Sequence, residues 1–227
     1  MGLTRREFTH AIVAGVSYAA WPRAGRARLA ERPPLGRFHY TVTRDGSPIG
    51  THVRTLRQAE GVLVVETEID LSVELLTVSL FRYSHRAVER WRSGTLIGLD
   101  SETVKNGTAK RLRGARGDDG ILTLENHKGE QRRFEASPIA TTLWHPATPE
   151  ADQLLEVEDG WMKRSVAQQV GLDAVPVGGE RRDARHYRLG GEVDREVWYD
   201  ARGLLVRVAF QHDDGSKIVM APAEAFT

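Results

Sequence analysis

Apolar and polar side chains alternate with a period of two along several segments of the chain. Between positions 80 and 91, one set of alternate positions carries Phe81, Tyr83, His85, Ala87, Glu89 and Trp91, while the other carries mostly arginine and serine. Successive side chains of an extended chain point to opposite faces, so this pattern predicts a strand with one aromatic-rich face. The segments 62–69 and 204–210 are rich in β-branched or alternating apolar residues and also predict strands.

Glycine-containing turn signals separate these segments. Pairs such as Asp45-Gly46, Asn106-Gly107 and Asp119-Gly120 recur at intervals of roughly 9 to 15 residues, the spacing of an all-β protein. We therefore predict a single large antiparallel meander of roughly 10 to 12 strands. A sheet of this size curls, so it should form a half-barrel or a barrel.

One interval breaks this rhythm and predicts a short helical insertion near residues 138–156. No glycine occurs between positions 136 and 158, and Pro149 to Leu155 reads as one or two helical turns with Thr148 as the N-cap. The insertion is placed to cover the open side of the curled sheet. The stretch Asp70 to Ser79 is compatible with either a strand or a short helix.

The first 27 residues resemble an export signal. Arg5-Arg6 precedes the apolar run Ala11 to Ala20, which spans about 15 Å as a helix and is too short to cross a bilayer of roughly 30 Å. Paired arginines, a short apolar run and small residues up to Ala27 are typical of a twin-arginine signal. We predict cleavage after Ala27, a linker over 28–36 and one β domain over 37–227. The twin-arginine export machinery is then a partner, the location is periplasmic or secreted, and no transmembrane anchor remains after cleavage.

Composition excludes several classes of function. The formal net charge is +1, so no bulk charge drives binding to nucleic acid. The chain contains no cysteine, which rules out disulfides, thiolate nucleophiles and cysteine-ligated metal centres. With 40% apolar residues, the chain can bury a core of its own.

Several short motifs carry a resemblance to a known family. They are Arg37 to Val42 followed by Asp45-Gly46, Glu89 to Leu96, Thr142 to Pro146, and Val197 to Asp200. Over residues 37–220 the chain resembles an exported bacterial family of unknown function, domain of unknown function 6134. Its plan is more distantly similar to periplasmic half-barrel proteins that carry lipoproteins or lipids. The resemblance implies export and a concave sheet, and it brings no catalytic residues.

No motif for catalysis, metal binding or a cofactor is present in the sequence. The histidines beyond the signal are isolated, and there is no nucleophile elbow or phosphate-binding loop. Glu66, Glu68 and Asp70 share one strand face, which we interpret as solvated rather than as a buried acid–base set. We therefore predict no catalytic residue, no metal and no cofactor.

The candidate ligand-binding residues lie in two places. Tyr83, His85, Glu89 and Trp91 form a stripe on one strand face, and Trp144 and His145 lie in the predicted insertion. The stripe has the content of a ligand pocket, although a core face with one hydrogen-bonded histidine is the favoured interpretation. His85 is expected to pair across strands with Asp100 or Glu102. Trp144 either plugs the barrel or gates a cavity, and plugging is favoured because an exposed tryptophan is costly.

The leading hypothesis for function is an exported, non-enzymatic protein that binds a small apolar or amphipathic, lipid-like ligand in a concave sheet. One alternative is a hydrolase or lyase that uses His85, Glu89 and His145, which requires at least two of them to meet. The other is an accessory subunit of an exported complex, which requires a broad exposed apolar patch. The oligomeric state is left open.

Overall fold

The computed structural model describes residues 33–75 and 78–223, which form one antiparallel sheet of fourteen strands. The predicted signal over 1–27 lies outside the described residues. The strands are β1 (Gly36–Arg44), β2 (Ser47–Ala59), β3 (Val62–Leu75), β4 (Val78–Arg92), β5 (Thr95–Lys105), β6 (Thr108–Arg116), β7 (Leu122–Asn126), β8 (Gln131–Phe134), β9 (Gln153–Leu155), β10 (Met162–Val177), β11 (Glu180–Gly191), β12 (Arg195–Asp200), β13 (Leu205–Gln211) and β14 (Lys217–Pro222).

The strand order confirms the predicted meander. Consecutive strands pair from β1 to β8 and from β9 to β14, and β1 pairs with β14, which joins the two halves in the middle of the sheet. The order runs from β8 through β1 and β14 to β9, and these two terminal strands do not pair with each other in the described chain. The sheet is therefore curled but not closed into a barrel. The sheet has more strands than predicted. The additional strands are the short ones, since β7, β8 and β9 are only five, four and three residues long.

The tight turns follow the sequence signals. Asp45 and Gly46 have φ of 49° and 85°, and Asn106 and Gly107 have φ of 49° and 84°. Two-residue hairpins favour the type I′ turn, in which both central residues have positive φ. Asn-Gly and Asp-Gly adopt this conformation readily, which explains why they occur there. These turns connect β1 to β2 and β5 to β6.

Side chains of the β9–β10 turn hold the curled sheet together where strand pairing does not. Lys110 on β6 bonds Glu158 at 3.1 Å, and the Arg132 guanidinium of β8 lies 3.8 Å from the centre of the Trp161 ring. The Ser101 hydroxyl donates to the carbonyl of Val157. The turn thus rests on β5, β6 and β8, and the two ends of the sheet come close without sharing a ladder.

The insertion contains less helix than the sequence predicts. A single 3-10 turn spans Thr148–Glu150, and Gln153–Leu155 is strand β9 rather than helix. Thr148 is not the N-cap, because Ala147 takes that position and the Thr148 hydroxyl donates to the carbonyl of His145 at 2.6 Å. Leu155 is fully buried and its amide donates to the carbonyl of Ile139 at 2.7 Å, so tertiary pairing outweighs the local helical signal.

The ambiguous stretch from Asp70 continues β3 as a strand as far as Leu75, and β4 begins at Val78. Within residues 33–75 and 78–223, none of the helical segments has the length and apolarity that a membrane crossing requires.

Candidate ligand site

Residues 140–146, here called the plug, cross the concave side of the sheet and pack into it. Trp144 is only 4% exposed, and its ring meets that of Trp91 edge to face with centroids 5.6 Å apart. The Tyr199 hydroxyl of β12 donates to the carbonyl of Leu143 at 2.7 Å. The plug therefore contacts both halves of the sheet. Trp144 is buried within the concave side of the sheet, here called the hollow, and does not lie at the surface.

Glu89, on β4, holds the plug against the sheet through hydrogen bonds. Its carboxylate accepts hydrogen bonds from the Thr142 hydroxyl at 2.6 Å, from Trp144 Nε1 at 2.9 Å and from Trp91 Nε1 at 3.1 Å. Glu89 is 1% exposed, and this burial raises the pKa of its carboxyl, while the three hydrogen bonds and the nearby Arg54 act in the opposite direction. Both tryptophan N–H groups of the hollow thus find an acceptor on one side chain.

Arg54, on β2, is the cation that faces this carboxylate. It is 1% exposed, and its Nη2 donates to the carbonyl of Thr142 at 2.8 Å and lies 3.0 Å from His52 Nε2. Burial lowers the pKa of Arg54, and Tyr40, Tyr199 and Glu89 oppose that effect. Thr142 therefore bridges the two charges, with its carbonyl on Arg54 and its hydroxyl on Glu89.

Sequence reasoning missed Arg54. Arg54 alternates with Val53 and Thr55 and shares a strand face with His52 and Leu56. Because that face carries both polar and apolar side chains, the sequence predicts that it is partly exposed to solvent. Only Leu56, which is 2% exposed, signals that this face points inward.

Changing Trp144 to phenylalanine tests the role of the plug. The ring would remain but the hydrogen bond to Glu89 would be lost, so we expect the free energy of unfolding to fall by about 2 kcal/mol. Urea unfolding followed by circular dichroism measures this. The matched control is Trp161→Phe, where the ring is 54% exposed and phenylalanine keeps an aromatic face for the Arg132 guanidinium, so a change within about 0.5 kcal/mol is expected. Equal effects of the two substitutions would contradict the proposed anchoring.

His85 pairs across strands with a different residue from the two expected. Its Nδ1 lies 2.8 Å from the Thr103 hydroxyl, because the β4–β5 register places His85 opposite Thr103. Asp100 and Glu102 belong to the other face, where Asp100 bonds Arg90 at 2.6 Å. Burial lowers the pKa of His85 to about 4.

His145 lies against the same tryptophans as the plug. Its ring centroid is 5.1 Å from those of Trp91 and Trp144, and its Nδ1 accepts from the amide of Ala147 at 3.1 Å. Burial lowers the pKa of His145 to about 4. This histidine is thus neutral at physiological pH and packs as an aromatic ring.

The six candidate residues fall into two groups. Glu89, Trp91, Trp144 and His145 meet in the plugged part of the hollow. Tyr83 and His85 lie farther back along β4, where Phe81, Tyr83 and His85 form a row of stacked rings with successive centroids 6.4 Å apart. In the described chain, the hydrogen bonds of His85, Glu89 and His145 run to other groups and not to one another.

A second set of titratable residues surrounds the outer end of this row. We call Tyr83, His85, Glu156 and Arg195 the mouth cluster. Tyr83, Glu156 and Arg195 are half-buried, whereas His85 is 3% exposed. The Arg195 guanidinium also lies 3.7 Å from the centre of the Phe210 ring. The cluster therefore leads from partly exposed rings into the covered interior.

The pKa shifts show that these groups share one environment. Burial raises the pKa of Tyr83, helped by the carboxylates of Glu158 and Glu156 and opposed by Arg195. Burial also raises the pKa of Glu156, helped by Glu158, and lowers the pKa of Arg195, opposed by Glu156. Mutually perturbed groups in a half-open position are a recognised mark of a functional site. Glu156 and Arg195 lie far from β4 in sequence, and no local signal links them to it.

Another histidine cluster lies across β10, β11 and β12. The His186 ring stacks on Trp198 at 4.1 Å, and its Nδ1 lies 3.1 Å from the Asp173 carboxylate. The same carboxylate accepts from Trp198 Nε1 at 2.8 Å. These contacts fasten the β10–β11 hairpin to β12, and we assign them a structural role.

The carboxylates of β3 are solvated, as the alternation predicts. Glu68 and Asp70 are exposed, and Glu66 bonds Arg57 at 2.9 Å on the surface. A shallow depression of about 520 Å³ lies at the strand ends beside Asp70, Leu71 and Tyr83. Among the described residues, no group of three or more His, Asp or Glu side chains is arranged to hold a metal ion.

The comparisons with known proteins agree with this architecture. A crystal structure of a beta-barrel-like protein of domain of unknown function DUF1849 from Brucella abortus is similar, with a TM-score of 0.55 and 11% sequence identity over 85% of this chain and 98% of that chain. At this identity the likeness concerns the fold alone. No curated protein matches the sequence. The model of the domain of unknown function DUF6134 matches residues 40–223, and the chain therefore belongs to that family.

Proposed function

We propose that this protein is an exported, non-enzymatic binding protein that takes a small amphipathic, lipid-like ligand at the mouth cluster. The observation that supports it is the half-buried row of Phe81 and Tyr83 rings. The Arg195 and Glu156 side chains lie near this row and interact electrostatically with Tyr83. Aromatic faces with a few polar groups at one end are the usual content of a ligand site.

The geometry limits the size of the ligand. The inner face of β4 is covered from His85 onward, so an apolar chain could lie along Phe81 and Tyr83 only. This row covers two residue steps, or about 7 Å of strand. The polar head of the ligand would then lie near Arg195 and Glu156.

A catalytic role is less well supported. The enzyme hypothesis needs at least two of His85, Glu89 and His145 within hydrogen-bond reach of each other. The hydrogen bonds of Glu89 run instead to Thr142, Trp144 and Trp91. His85 is buried and His145 is half-buried, and both are neutral and hydrogen-bonded to other groups. Nothing in this arrangement places a nucleophile beside a base.

The experiment begins with the full chain, expressed with its Arg5-Arg6 signal and recovered from the periplasm. We expect residues 1–27 to be removed. Protein that stays in the cytoplasm would contradict the export half of the proposal. The recovered protein is then incubated with a cell-envelope lipid extract, washed and analysed by mass spectrometry.

We expect an amphipathic species to be retained, and Tyr83→Ala to reduce its amount about tenfold, equivalent to about 1.4 kcal/mol of binding free energy. Leu35→Ala removes an exposed apolar side chain outside the cluster and should retain the species as the wild type does. Retention of nothing by folded wild-type protein, or equal retention by Tyr83→Ala, would refute the binding proposal.

A further inference from the structure

Exposed apolar side chains concentrate on one strand. Among residues 33–75 and 78–223, the large hydrophobic side chains that remain exposed are Leu35, Trp161, Val166, Val170 and Leu172. The last three lie on β10 with exposures of 63%, 52% and 64%. Single exposed apolar residues are ordinary, but three on one short stretch mark an interaction surface.

The same stretch has an unpaired backbone edge. On one side β10 pairs with β11 from Ser165 to Val177, while on the other side β9 pairs only with Met162, Lys163 and Arg164. Residues 166–177 thus have no strand on that side within the described chain. An open edge of this length offers N–H and C=O groups to another strand.

The C-terminal end of this edge is protected against strand pairing, and the N-terminal part is not. Pro176 has no amide hydrogen to donate, and the carbonyl of Ala174 accepts from Arg181 at 3.0 Å. Residues 166–172 have no such cover. The opposite end of the sheet differs, because β8 is four residues long and carries Arg132 and Arg133.

We propose that residues 166–172 of β10 pair antiparallel with the same segment of a second copy of this chain. The stretch 165–172 contains no charged residue, so two copies meet without like charges opposite each other. A two-fold axis at Gln169 sets Val166 of one copy opposite Leu172 of the other. A charged peptide would find no ion pair on this segment, which makes its own uncharged copy the better complement.

Symmetry explains why the assembly stops at two. Pairing of an edge with itself is isologous and closes, whereas pairing of β10 with β8 of another copy would propagate. The short, basic β8 edge disfavours that second route. The bulge at Gln169 and Gly171 increases the local twist and shortens the paired stretch. The contact is smaller than the roughly 800 Å² per partner of a standard interface, so we expect a dimer that dissociates in the micromolar range.

Sedimentation of the signal-free chain at about 1 to 200 µM tests this proposal. We expect the wild type to shift from monomer to dimer over that range. Leu172→Lys places a charge on the edge and should weaken the dimer at least tenfold, which is the usual effect sought with edge lysines. Leu35→Lys is the matched control, since Leu35 is 53% exposed but lies outside β10, and it should dimerise as the wild type does.

Thermal unfolding of each variant establishes that it is folded before its dissociation is compared. A wild type that stays monomeric throughout overturns the proposal, and so does a Leu172→Lys variant that dimerises normally. Monomeric protein that instead floats with lipid vesicles, and loses this binding in Leu172→Lys, would assign the surface to a membrane and also overturn it. None of these outcomes depends on the mouth cluster.

Discussion

Replacing Glu89 by leucine is expected to lower the free energy of unfolding by about 3 to 5 kcal/mol, because it leaves three buried hydrogen-bond donors without an acceptor. The donors are the Thr142 hydroxyl and the N–H groups of Trp91 and Trp144. The substitution also removes the favourable electrostatic influence of Glu89 on the buried Arg54. Urea unfolding at pH 7, followed by far-ultraviolet circular dichroism, measures the loss.

The matched control is Glu68→Leu on β3, where the carboxylate is exposed and a change within about 0.5 kcal/mol is expected. Near-ultraviolet circular dichroism should also lose the signal of the packed tryptophans in Glu89→Leu only. A loss below about 1 kcal/mol would mean that Glu89 does not hold the plug in the sheet.

Acidification below pH 6.5 is expected to destabilise the protein through its buried histidines. The folded-state pKa of His85 and that of His145 are both lowered to about 4, while an unfolded histidine titrates near 6.5. The unfolded chain therefore binds protons that the folded chain does not. Stability contributed by each neutral ring is present above pH 6.5 and is lost as the pH falls to 4, by about 3 kcal/mol per residue.

Two carboxyl groups act with the opposite sign. The pKa values of Glu89 and Glu156 are raised in the folded state, so their protonation stabilises the fold as the pH falls toward 4.5. A comparison of variants separates the contributions. The His85→Gln variant should lose about 3 kcal/mol less than the wild type between pH 6.5 and 4, measured by urea unfolding at each pH.

His39→Gln serves as the control because His39 is an exposed histidine of β1, and its profile should follow that of the wild type. If the free energy of unfolding of His85→Gln changed with pH as that of the wild type does, the ring of His85 would have to take up its proton in the folded protein. The neutral, covered interior described for β4 would then be wrong.

Most of the fold can be predicted from the alternation of apolar and polar residues, because the side chains of a strand repeat with a period of two. Alternation places Tyr83 to Trp91 on one face of β4 but leaves open whether that face points inward, which the burial of Glu89 and Trp91 settles. The predicted partners of His85 are wrong, because its partner depends on the register with β5, which shifts at a bulge between Arg90 and Trp91. A bulge of this kind leaves no clear mark in the sequence of one strand.

The centre of the candidate site needed the tertiary structure. Arg54 looks like a surface residue until the plug covers it, and Glu156 and Arg195 reach Tyr83 only because the β9–β10 turn folds back on the sheet. The free edge of β10 likewise depends on where β9 stops. Pattern assigns a residue to a face, but it does not reveal which distant segment covers that face.

We propose that the ligand lies on the concave side of the sheet at the mouth cluster. An NMR titration of the isotopically labelled protein with a spin-labelled fatty acid tests this position. We expect paramagnetic broadening of the amides of Tyr83, Thr103, Glu156 and Arg195, while those of Arg90 and Arg113 on the other face stay sharp. Broadening at Arg90 and Arg113 alone, or no broadening at a saturating concentration, would contradict the account.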